Sequence, residues 1–465
     1  MLSLFSSLIL AQTTPAVPTM TSQEVVVPQQ MRSLPGQLDN VLVFNSNSPE
    51  LVQEEGILLS TFSPQGKQTP GAHLDVPLQG RFDVFAHHIA KAKADDLRTL
   101  YLGIVLHNPG SQPITVDVLQ AASYLSQPDA PFATLASSVD NPTGAVFAGP
   151  GSRATDAVLR GRRQSDFPAQ LAIPLGESRL LLNVPIPVKT LTPPLNGRST
   201  VMRLRSTGRV YAASLAKFAT QNADGSETAP TLKEWQTLLE TGNLATPRDR
   251  TPTPLEQTTG QMIYGRVAGV AKGSRWIAQI VDPEQSSQPN SQQWSLAIPQ
   301  AGQAFSYGLS TLLRGTLGTG QVQTAPMVAR YPDTAYQAHG NYAIEYNLTL
   351  PLQNTTDQPQ TVTIALETPI KEEQPKEGLR FLSPPAKQVF FRGTVRLRYN
   401  DDQGLPQTRY VHLVQRRGQQ GEPLIVMNLA AGDRRLVQVD LLYPPDSTPP
   451  QILTVRTLSV EQTSK

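Results

Sequence analysis

The residues best suited to binding a ligand lie in one stretch, residues 329–347, which reads ARYPDTAYQAHGNYAIEYN. Tyrosine rings can stack on sugar rings or peptide planes, and neighbouring amide and imidazole groups can provide directional hydrogen bonds. The stretch therefore predicts a ligand-binding site. Its members would be Tyr331, Tyr336, His339, Asn341 and Tyr342. The alternative is that tyrosines at strand spacing, such as Tyr342 and Tyr346, are half-buried members of one sheet face.

Metal binding is the chemistry that the pair His87-His88 suggests, because acidic residues at Asp83 and Asp95-Asp96 lie close to it in sequence. Adjacent side chains on a strand point to opposite faces, so the two imidazoles cannot readily hold one ion. We expect one histidine to be buried and hydrogen-bonded and the other to be solvated. The chain has no cysteine, and its acidic pairs follow no calcium-loop pattern. The sequence predicts no metal ion and no cofactor.

The sequence contains none of the local motifs that mark a catalytic site. There is no phosphate-binding loop, no G-x-S-x-G elbow and no H-E-x-x-H. Two carboxylates for glycoside hydrolysis could still come from distant parts of the chain, although Glu54-Glu55 and Glu372-Glu373 are better explained as solvated loop charges. The sequence therefore assigns no catalytic residue, and a hydrolase with a dispersed active site stays as the alternative to a binding protein.

A strand–turn–strand pattern occurs twice and organises the rest of the chain. Residues 100–118 (LYLGIVLHNPGSQPITVDV) align without a gap with residues 346–364 (YNLTLPLQNTTDQPQTVTI), so Asn108 corresponds to Asn354. Apolar residues alternate with polar ones on both sides of the turn. This period of two predicts an antiparallel hairpin with one buried face in each copy.

A second pair of matching segments follows the first, LAIPLGESRLLLNVP at 171–185 and MNLAAGDRRLVQVDL at 427–441. In each segment a glycine and an acidic residue, Gly176-Glu177 or Gly432-Asp433, precede an apolar strand. Two motifs that recur in the same order predict an internal duplication. Many short apolar runs separated by 41 prolines and 32 glycines favour an all-β fold. We therefore predict two β-sandwich-like halves.

Helix signals are concentrated between the two halves. Thr231 and Glu234 form a capping box and Gly242 ends the segment, and Thr253 to Glu256 repeat the box pattern with proline at the first helical position. The predicted division is a signal peptide with a polar segment at 1–22, a first β-sandwich-like domain at 23–220, a helical linker at 221–260 and a second β-sandwich-like domain at 261–465.

The first residues, MLSLFSSLILAQ, predict export from the cytoplasm. Their apolar run is shorter than the roughly 20 residues that a membrane-spanning helix needs, and it fits the apolar part of a signal peptide, although no Lys or Arg precedes it. A buried N-terminal strand is the alternative. The net charge of +2 provides no general attraction to nucleic acid. We expect a secreted or periplasmic protein without a transmembrane segment.

Four stretches resemble a family of secreted cyanobacterial proteins known only as a domain of unknown function. They are LPGQLDNVLVFNSNSPE (34–50), GILLSTFSP (56–64), GRFDVFAHHIA (80–90) and RYPDTAYQAHGNY (330–342). The resemblance covers most of the chain and implies an extracytoplasmic location, but no activity and no site residues. By analogy with other many-stranded sandwiches, the expected function is a non-enzymatic binding or structural protein of the cell envelope that contacts polysaccharide or another envelope protein.

Overall fold

The computed structural model describes residues 22–93, 95–257, 259–282 and 294–459. The predicted signal peptide and polar segment at 1–22 therefore lie outside the described residues, apart from residue 22. The described residues form 29 strands, two α-helices and a short 3-10 helix at Pro70–Ala72. The predicted all-β class is confirmed. Neither α-helix has the length and hydrophobicity that crossing a membrane requires.

The helices are α1 (Pro150–Leu159) and α2 (Leu232–Thr241). In chain order the strands are β1 (Gln23–Val27), β2 (Gln30–Arg32), β3 (Gln37–Leu38), β4 (Leu42–Ser46), β5 (Leu51–Val52), β6 (Gly56–Ser60), β7 (Leu78–Lys91), β8 (Leu100–His107), β9 (Ile114–Leu125), β10 (Ser138–Asp140), β11 (Gln170–Ile173), β12 (Ser178–Ile186), β13 (Leu195–Phe218), β14 (Thr220–Gln221), β15 (Glu227–Thr228), β16 (Ala268–Lys272), β17 (Arg275–Gln279), β18 (Leu296–Ala297), β19 (Ala304–Leu309), β20 (Ala325–Arg330), β21 (Gln337–Ala338), β22 (Glu345–Gln353), β23 (Gln360–Glu367), β24 (Leu379–Ser383), β25 (Val389–Asn400), β26 (Pro406–Arg416), β27 (Ile425–Leu429), β28 (Arg434–Leu442) and β29 (Gln451–Thr457).

Helix α2 begins and ends where the sequence predicts. The Thr231 hydroxyl accepts a hydrogen bond from the Glu234 backbone at 3.3 Å, and the Glu234 carboxylate accepts one from the Thr231 backbone at 2.8 Å. The second predicted box is wrong, because residues 254–256 form only a turn. There the Thr253 hydroxyl accepts its hydrogen bond from the distant Ile263 backbone, at 2.9 Å, instead of capping a following helix.

Helix α1 lies in the predicted first domain, outside the segment where the helix signals of the sequence are concentrated. Pro150 follows Gly149 at the first helical position, where its fixed φ and missing N–H are both tolerated. Nine of the ten residues of α1 are buried, so packing on neighbouring strands stabilises a helix that has no side-chain cap at its N-terminus.

The first apolar core lies between the sheet layers built on β13, which is 24 residues long. The first part of β13, Leu195–Ser206, pairs with β7 and β9, and the second part, Tyr211–Phe218, pairs with β8. One bent strand therefore belongs to both layers. The second large core lies between strands of the C-terminal half, with β22, β25 and β28 on one side and β19, β23 and β29 on the other.

The two predicted hairpins are wrong, although their strands are present. Strand β8 pairs with β12 and β13, whereas β9 pairs with β11 and β13. In the second copy β22 pairs with β17 and β28, whereas β23 pairs with β27 and β29. Each turn thus separates two strands that do not pair with each other, and β8 and β9 pair with different parts of β13. The alternating pattern predicts the buried face of a strand but not the strand beside it.

The two copies nevertheless have the same local pairing. His107 lies opposite Ser178, and Gln353 lies opposite Arg434, at the aligned positions of β8–β12 and β22–β28. The pairs β9–β11 and β23–β27 likewise place aligned residues opposite each other, Ile114 with Ile173 and Gln360 with Leu429. The units share one arrangement, and their origin by duplication stays a prediction.

Asn108 and Asn354 hold these units together in the same way. Both side chains are fully buried, and each amide nitrogen lies within hydrogen-bond distance of three backbone oxygens. The acceptors of Asn108 are Gln112, Ile173 and Pro174, at 2.7, 3.1 and 3.2 Å, and those of Asn354 are Gln358, Leu429 and Ala430, at 2.8, 3.1 and 3.0 Å. Each asparagine therefore connects its own turn to the segment that precedes the Gly-acidic turn.

Strand pairing crosses the predicted domain boundary at 221–260. Strand β16 joins the first-half sheet beside β4, and β10 from the first half pairs with β26. The N-terminal strands β1, β2 and β3 pair with β24, β19 and β17. The division into two domains stays a prediction. Each of the two large cores consists mainly of residues from one predicted half, whereas several sheets contain strands from both halves.

Candidate functional site

Tyr331, the first residue of the predicted ligand site, is fully buried in the first core. Its hydroxyl accepts a hydrogen bond from the Ser60 backbone at 3.0 Å and donates one to the Ala72 backbone at 2.8 Å. Burial raises the pKa of this phenol. The ring therefore connects the segment after β20 to the first core and faces no solvent.

Asn341 is also fully buried and takes part in a network inside the protein. Its amide donates to the Gln323 backbone at 2.9 Å and to the Tyr346 hydroxyl at 3.0 Å, and its side-chain oxygen accepts from the Ala325 backbone at 3.1 Å. The residue has a positive φ of 47°, which asparagine tolerates better than most residues do. Asn341 thus stabilises a turn beside β22.

The other three candidates lie closer to the surface but are also engaged. Tyr336 is stacked under the Arg330 guanidinium, 3.8 Å from its ring centre, and the Tyr342 hydroxyl donates to the Ser447 backbone at 3.0 Å. His339 donates through Nε2 to the Gly265 backbone at 2.7 Å. Ligand binding by the predicted cluster stays a prediction. Because Tyr331 and Asn341 are fully buried, only Tyr336, His339 and Tyr342 remain as candidates for contact with a ligand.

Both members of the His87-His88 pair are buried, which corrects the expectation that one is solvated. His87 lies 2.7 Å from the Ser199 hydroxyl, and His88 lies 2.9 Å from the Ser46 hydroxyl, on opposite sides of β7. Burial lowers the pKa of His87 to about 3 and that of His88 to about 4, so both are neutral at pH 7. Across the described ranges, no three His, Cys, Asp or Glu side chains come together as a metal site would need.

A polar cleft with a volume of about 590 Å³ opens between strands of the first half. It lies between β12 and the paired strands β9 and β13, beside helix α1. We call it the Arg198 cleft. Its lining residues are Ser123, Tyr124, Asp129, Arg153, Gln164, Asp166, Phe167, Leu181, Leu182, Asn183, Val184, Pro185 and Arg198. The cleft thus combines two arginines, two carboxylates and two amides with an aromatic wall.

Arg198 is the unusual member, because the residue is only 6% exposed and its guanidinium forms no ion pair with any described carboxylate. Nε and Nη2 donate to the Pro185 backbone oxygen at 3.1 and 2.9 Å, and Nη1 donates to the Ser123 hydroxyl at 3.0 Å. Burial lowers the pKa of Arg198 to about 10, with a smaller opposing effect from Asp129. The side chain is therefore a buried cation at neutral pH, and burying a cation without a counter-ion is costly.

The other polar groups of the cleft are held in place by neighbouring elements. The Arg153 guanidinium, on α1, lies over the Tyr124 ring at 4.2 Å and donates to the Asp129 backbone. Asp129 itself accepts from the Leu125 backbone at 2.8 Å, and Gln164 accepts from the Ser123 backbone at 2.6 Å. The cleft is therefore a preorganised set of donors and acceptors rather than a loose surface patch.

Sequence reasoning missed this cleft because its residues come from five segments between 123 and 198 and match no motif. One local signal was present. Arg198 and Arg203 lie in β13 among buried residues, in the segment RSTVMR, where an isolated cation is unusual. Arg203 is paired with Glu345 at 2.6 Å. Arg198 has no such ion pair, and the sequence alone does not show which of the two arginines is paired.

No curated protein matches this chain. Among solved structures, Lac15 from a marine microbial metagenome matches over 91% of this chain and 64% of its own length, with 9% identity and a TM-score of 0.12. Bacillus subtilis oxalate decarboxylase matches over 91% and 79%, with 9% identity and a TM-score of 0.09. The 11S globulin from Wrightia tinctoria matches over 81% and 76%, with the same identity and TM-score.

The family comparison is more specific than these structural matches. Residues 29–457 match the family model described as a protein of unknown function, DUF3370. The match includes every strand of both large cores. This chain therefore belongs to the DUF3370 family.

Proposed function

We propose that this protein is a non-enzymatic binding or structural protein of the cell envelope, and that the Arg198 cleft contacts envelope polysaccharide. Another envelope protein is the alternative partner. The observation that carries the proposal is the buried Arg198 guanidinium, which lines a 590 Å³ cleft without a carboxylate partner. A ligand group that accepts its remaining N–H donors would offset the cost of burying the charge.

The mixture of groups in the cleft favours sugar over an apolar ligand. A sugar hydroxyl both donates and accepts, so it is satisfied where guanidinium donors and carboxylate acceptors stand together. Arg153 and Arg198 are the donors, and Asp129 and Asp166 are the acceptors. The Tyr124 and Phe167 rings add apolar surface to the lining. The volume falls within the roughly 300–1,000 Å³ of small-molecule sites.

The location outside the cytoplasm is a separate part of the proposal and rests on the expected signal peptide. Its test is fractionation of cells that express the full chain with a C-terminal tag. We expect the processed protein in the periplasm, the envelope fraction or the medium. Recovery of unprocessed protein in the cytoplasm would contradict the location without affecting the cleft.

The binding test compares two arginine variants of the same strand on a glycan array, followed by equilibrium binding to the best glycan. We expect Arg198→Met to weaken binding at least about tenfold, because the variant removes the buried donor. The variant loses the hydrogen bonds to Pro185 and Ser123 but also the cost of a buried lone charge. These effects oppose each other, so the free energy of unfolding should change by at most about 1–3 kcal/mol. Arg205→Met, at an exposed position of β13, is the matched control and should bind like the wild type.

Two outcomes would overturn this assignment. The wild type could retain no glycan while capturing an envelope protein, which supports the alternative partner. Arg198→Met could bind as tightly as Arg205→Met, which removes the cleft from the interaction. Release of reducing sugar from a bound polysaccharide would instead support a hydrolase with a dispersed site.

A further inference from the structure

A second concavity, with a volume of about 520 Å³, opens between the loop at 131–137 and the strands β25 and β26. We call it the basic groove. Its lining residues are Phe132, Ala133, Thr134, Leu135, Ala136, Ser137, Pro385, Lys387, Val389, Arg392, Val414, Arg416 and Gln419. Three of them are cations, and none is an aspartate or a glutamate.

The three cations, Lys387, Arg392 and Arg416, form no ion pair with any carboxylate in the described part of the chain. Arg392 differs in this respect from two other arginines of its strand, β25. Farther along β25, Arg396 and Arg398 both bond to the buried Asp440, at 2.9 and 3.0 Å. The chain as a whole has a net charge of only +2, so a groove with three cations that form no ion pair is a local excess of positive charge.

Two nearby carboxyl groups reduce this excess only in part. Asp446 is buried beside Arg392, and burial raises its pKa to about 6 although Arg392 opposes the rise. Glu422 accepts a hydrogen bond from the Ser137 hydroxyl at 2.9 Å, at the rim of the groove. Lys387 and Arg416 are exposed, so a solute can reach both of them.

An aromatic ring completes the groove. Phe132 is 52% exposed, which is unusual for so large an apolar side chain, and the Arg392 guanidinium lies over its ring at 5.2 Å. A ring that is open to solvent beside several cations suits a ligand that carries both flat apolar faces and anionic groups.

We propose that the basic groove binds an acidic polysaccharide, a sugar polymer whose rings carry carboxylate groups. This inference deepens the proposed contact with envelope polysaccharide and rests on it. The carboxylates would meet the three cations, and a sugar ring would lie on Phe132. A flat lipid surface fits a concave groove poorly, because membranes attract basic residues that protrude. Nucleic acid would need a larger positive surface than a chain of net charge +2 offers.

The test measures binding of the full chain to alginate, a polymer of uronic acids, with dextran as the neutral polymer. We expect alginate to bind, binding to weaken as salt is raised, and dextran to bind less tightly. The groove variant is Lys387→Gln, Arg392→Gln and Arg416→Gln together, which should weaken alginate binding at least about tenfold. The matched control is Lys91→Gln, Arg250→Gln and Arg434→Gln, three exposed cations outside the groove, which should retain wild-type binding.

A second variant protects the test against misfolding, since the positive charge of Arg392 lowers the cost of ionising Asp446. Lys387→Glu with Arg416→Glu leaves Arg392 in place and should abolish alginate binding while thermal unfolding stays at the wild-type temperature. Equal losses in the groove and control variants would show attraction to net charge and overturn the proposal. The wild type could instead fail to bind alginate but bind anionic phosphatidylglycerol vesicles, and the groove variants could lose that binding. This outcome would assign the groove to a membrane.

The two glycan proposals fail separately. If the protein retains a glycan, loses it in Arg198→Met and keeps it in both groove variants, then the basic groove is wrong and the proposed function stands. If no polysaccharide is retained by the wild type, then the proposed function fails and the groove assignment fails with it.

Discussion

At the scale of single residues, Asn108 and Asn354 give the clearest stability prediction. Each amide nitrogen shares its two hydrogens among three backbone oxygens that lie within hydrogen-bond distance of it. Replacing either residue with alanine leaves buried carbonyl groups without a donor, so we expect a loss of about 1–3 kcal/mol in the free energy of unfolding. Denaturant titration measures it.

Aspartate is the more informative substitution at both positions. Asn108→Asp keeps an acceptor for the Gly110 backbone, which lies at 2.9 Å, but replaces the donating amide with a carboxylate that faces carbonyl oxygens. We expect Asp to cost at least as much as alanine. Asn222→Ala, in an exposed turn, is the control and should stay within about 0.5 kcal/mol. A large loss at one of the two positions with none at the other would contradict equivalent roles.

The alignment of the two repeated segments identified these asparagines as equivalent, and the structure gives them equivalent contacts. The residue types of 329–347 instead predicted a ligand site that includes Tyr331 and Asn341, which are buried. A matched position depends only on the order of residues along the chain. A binding role depends on which way a side chain faces, and in the turns after β20 the period of two that would indicate this is lost. Aromatic and amide residues suit a buried network and a sugar site equally well.

At the scale of elements, helix α2 packs on β6, β8 and β13 through the buried Trp235, which makes one close contact with β8. Trp235 is fully buried, and its indole N–H donates to Asn183 at 3.3 Å. A Cβ atom added at Gly103 would lie 2.6 Å from the indole ring, so Gly103 is the residue that lets the ring sit flat on the strand. Trp235→Ala should cost about 3–5 kcal/mol, and Gly103→Ala about 1–3 kcal/mol by overpacking.

A double-mutant cycle tests this contact directly. If the methyl group of Gly103→Ala is costly because it meets the indole, its cost should largely disappear in the Trp235→Ala background. Additive costs would show instead that the alanine strains β8 itself. Thermal and chemical unfolding of the four proteins, from wild type to double variant, provide the measurement.

Helix α2 was predictable because all of its signals are local: Thr231, Glu234 and Gly242 lie within twelve positions. The neighbours of β8 and β9 were not predictable, because the partners β12 and β11 belong to a distant segment of the chain and the turn alone cannot select them. Helix α1 was missed for a third reason. Gly149-Pro150-Gly151 resembles a loop when it is read alone, and only burial against the strands shows Pro150 as the first helical residue.

At the scale of the whole molecule, buried histidines make stability depend on pH. All six histidines have a lowered pKa, chiefly because burial disfavours the charged form. The value is about 3 for His87 and about 4 for His73, His88, His339 and His412. They lie in both halves, so the effect belongs to the whole fold.

The sign follows from proton binding in the two states. Below the ordinary histidine pKa of 6.5, the unfolded chain binds protons that these folded imidazoles do not, so their contribution to stability is fully present above pH 6.5 and is lost as pH falls toward 4. Asp446 acts in the opposite sense, because its pKa is raised to about 6 and folding is favoured as it takes up a proton. Burial also raises the pKa of Glu50, Asp83 and Glu367, which act in the same sense as Asp446. We expect the six histidines to outweigh these four carboxyl groups, so that the free energy of unfolding falls between pH 7 and pH 5.

His412 offers the cleanest test of that fall. It is fully buried, and its Nε2 has no hydrogen-bond partner among the described residues, so His412→Leu removes the titrating group without breaking a bond at that atom. The free energy of unfolding of the variant should fall by about 1–2 kcal/mol less than that of the wild type between pH 7 and pH 5, measured by urea titration at both pH values.

The control is Thr394→Val, which removes the hydroxyl 3.3 Å from the imidazole but keeps the histidine. It should therefore lower stability at both pH values and leave the difference between them unchanged. An identical pH difference in His412→Leu and the wild type would mean that this imidazole does not contribute to acid destabilisation.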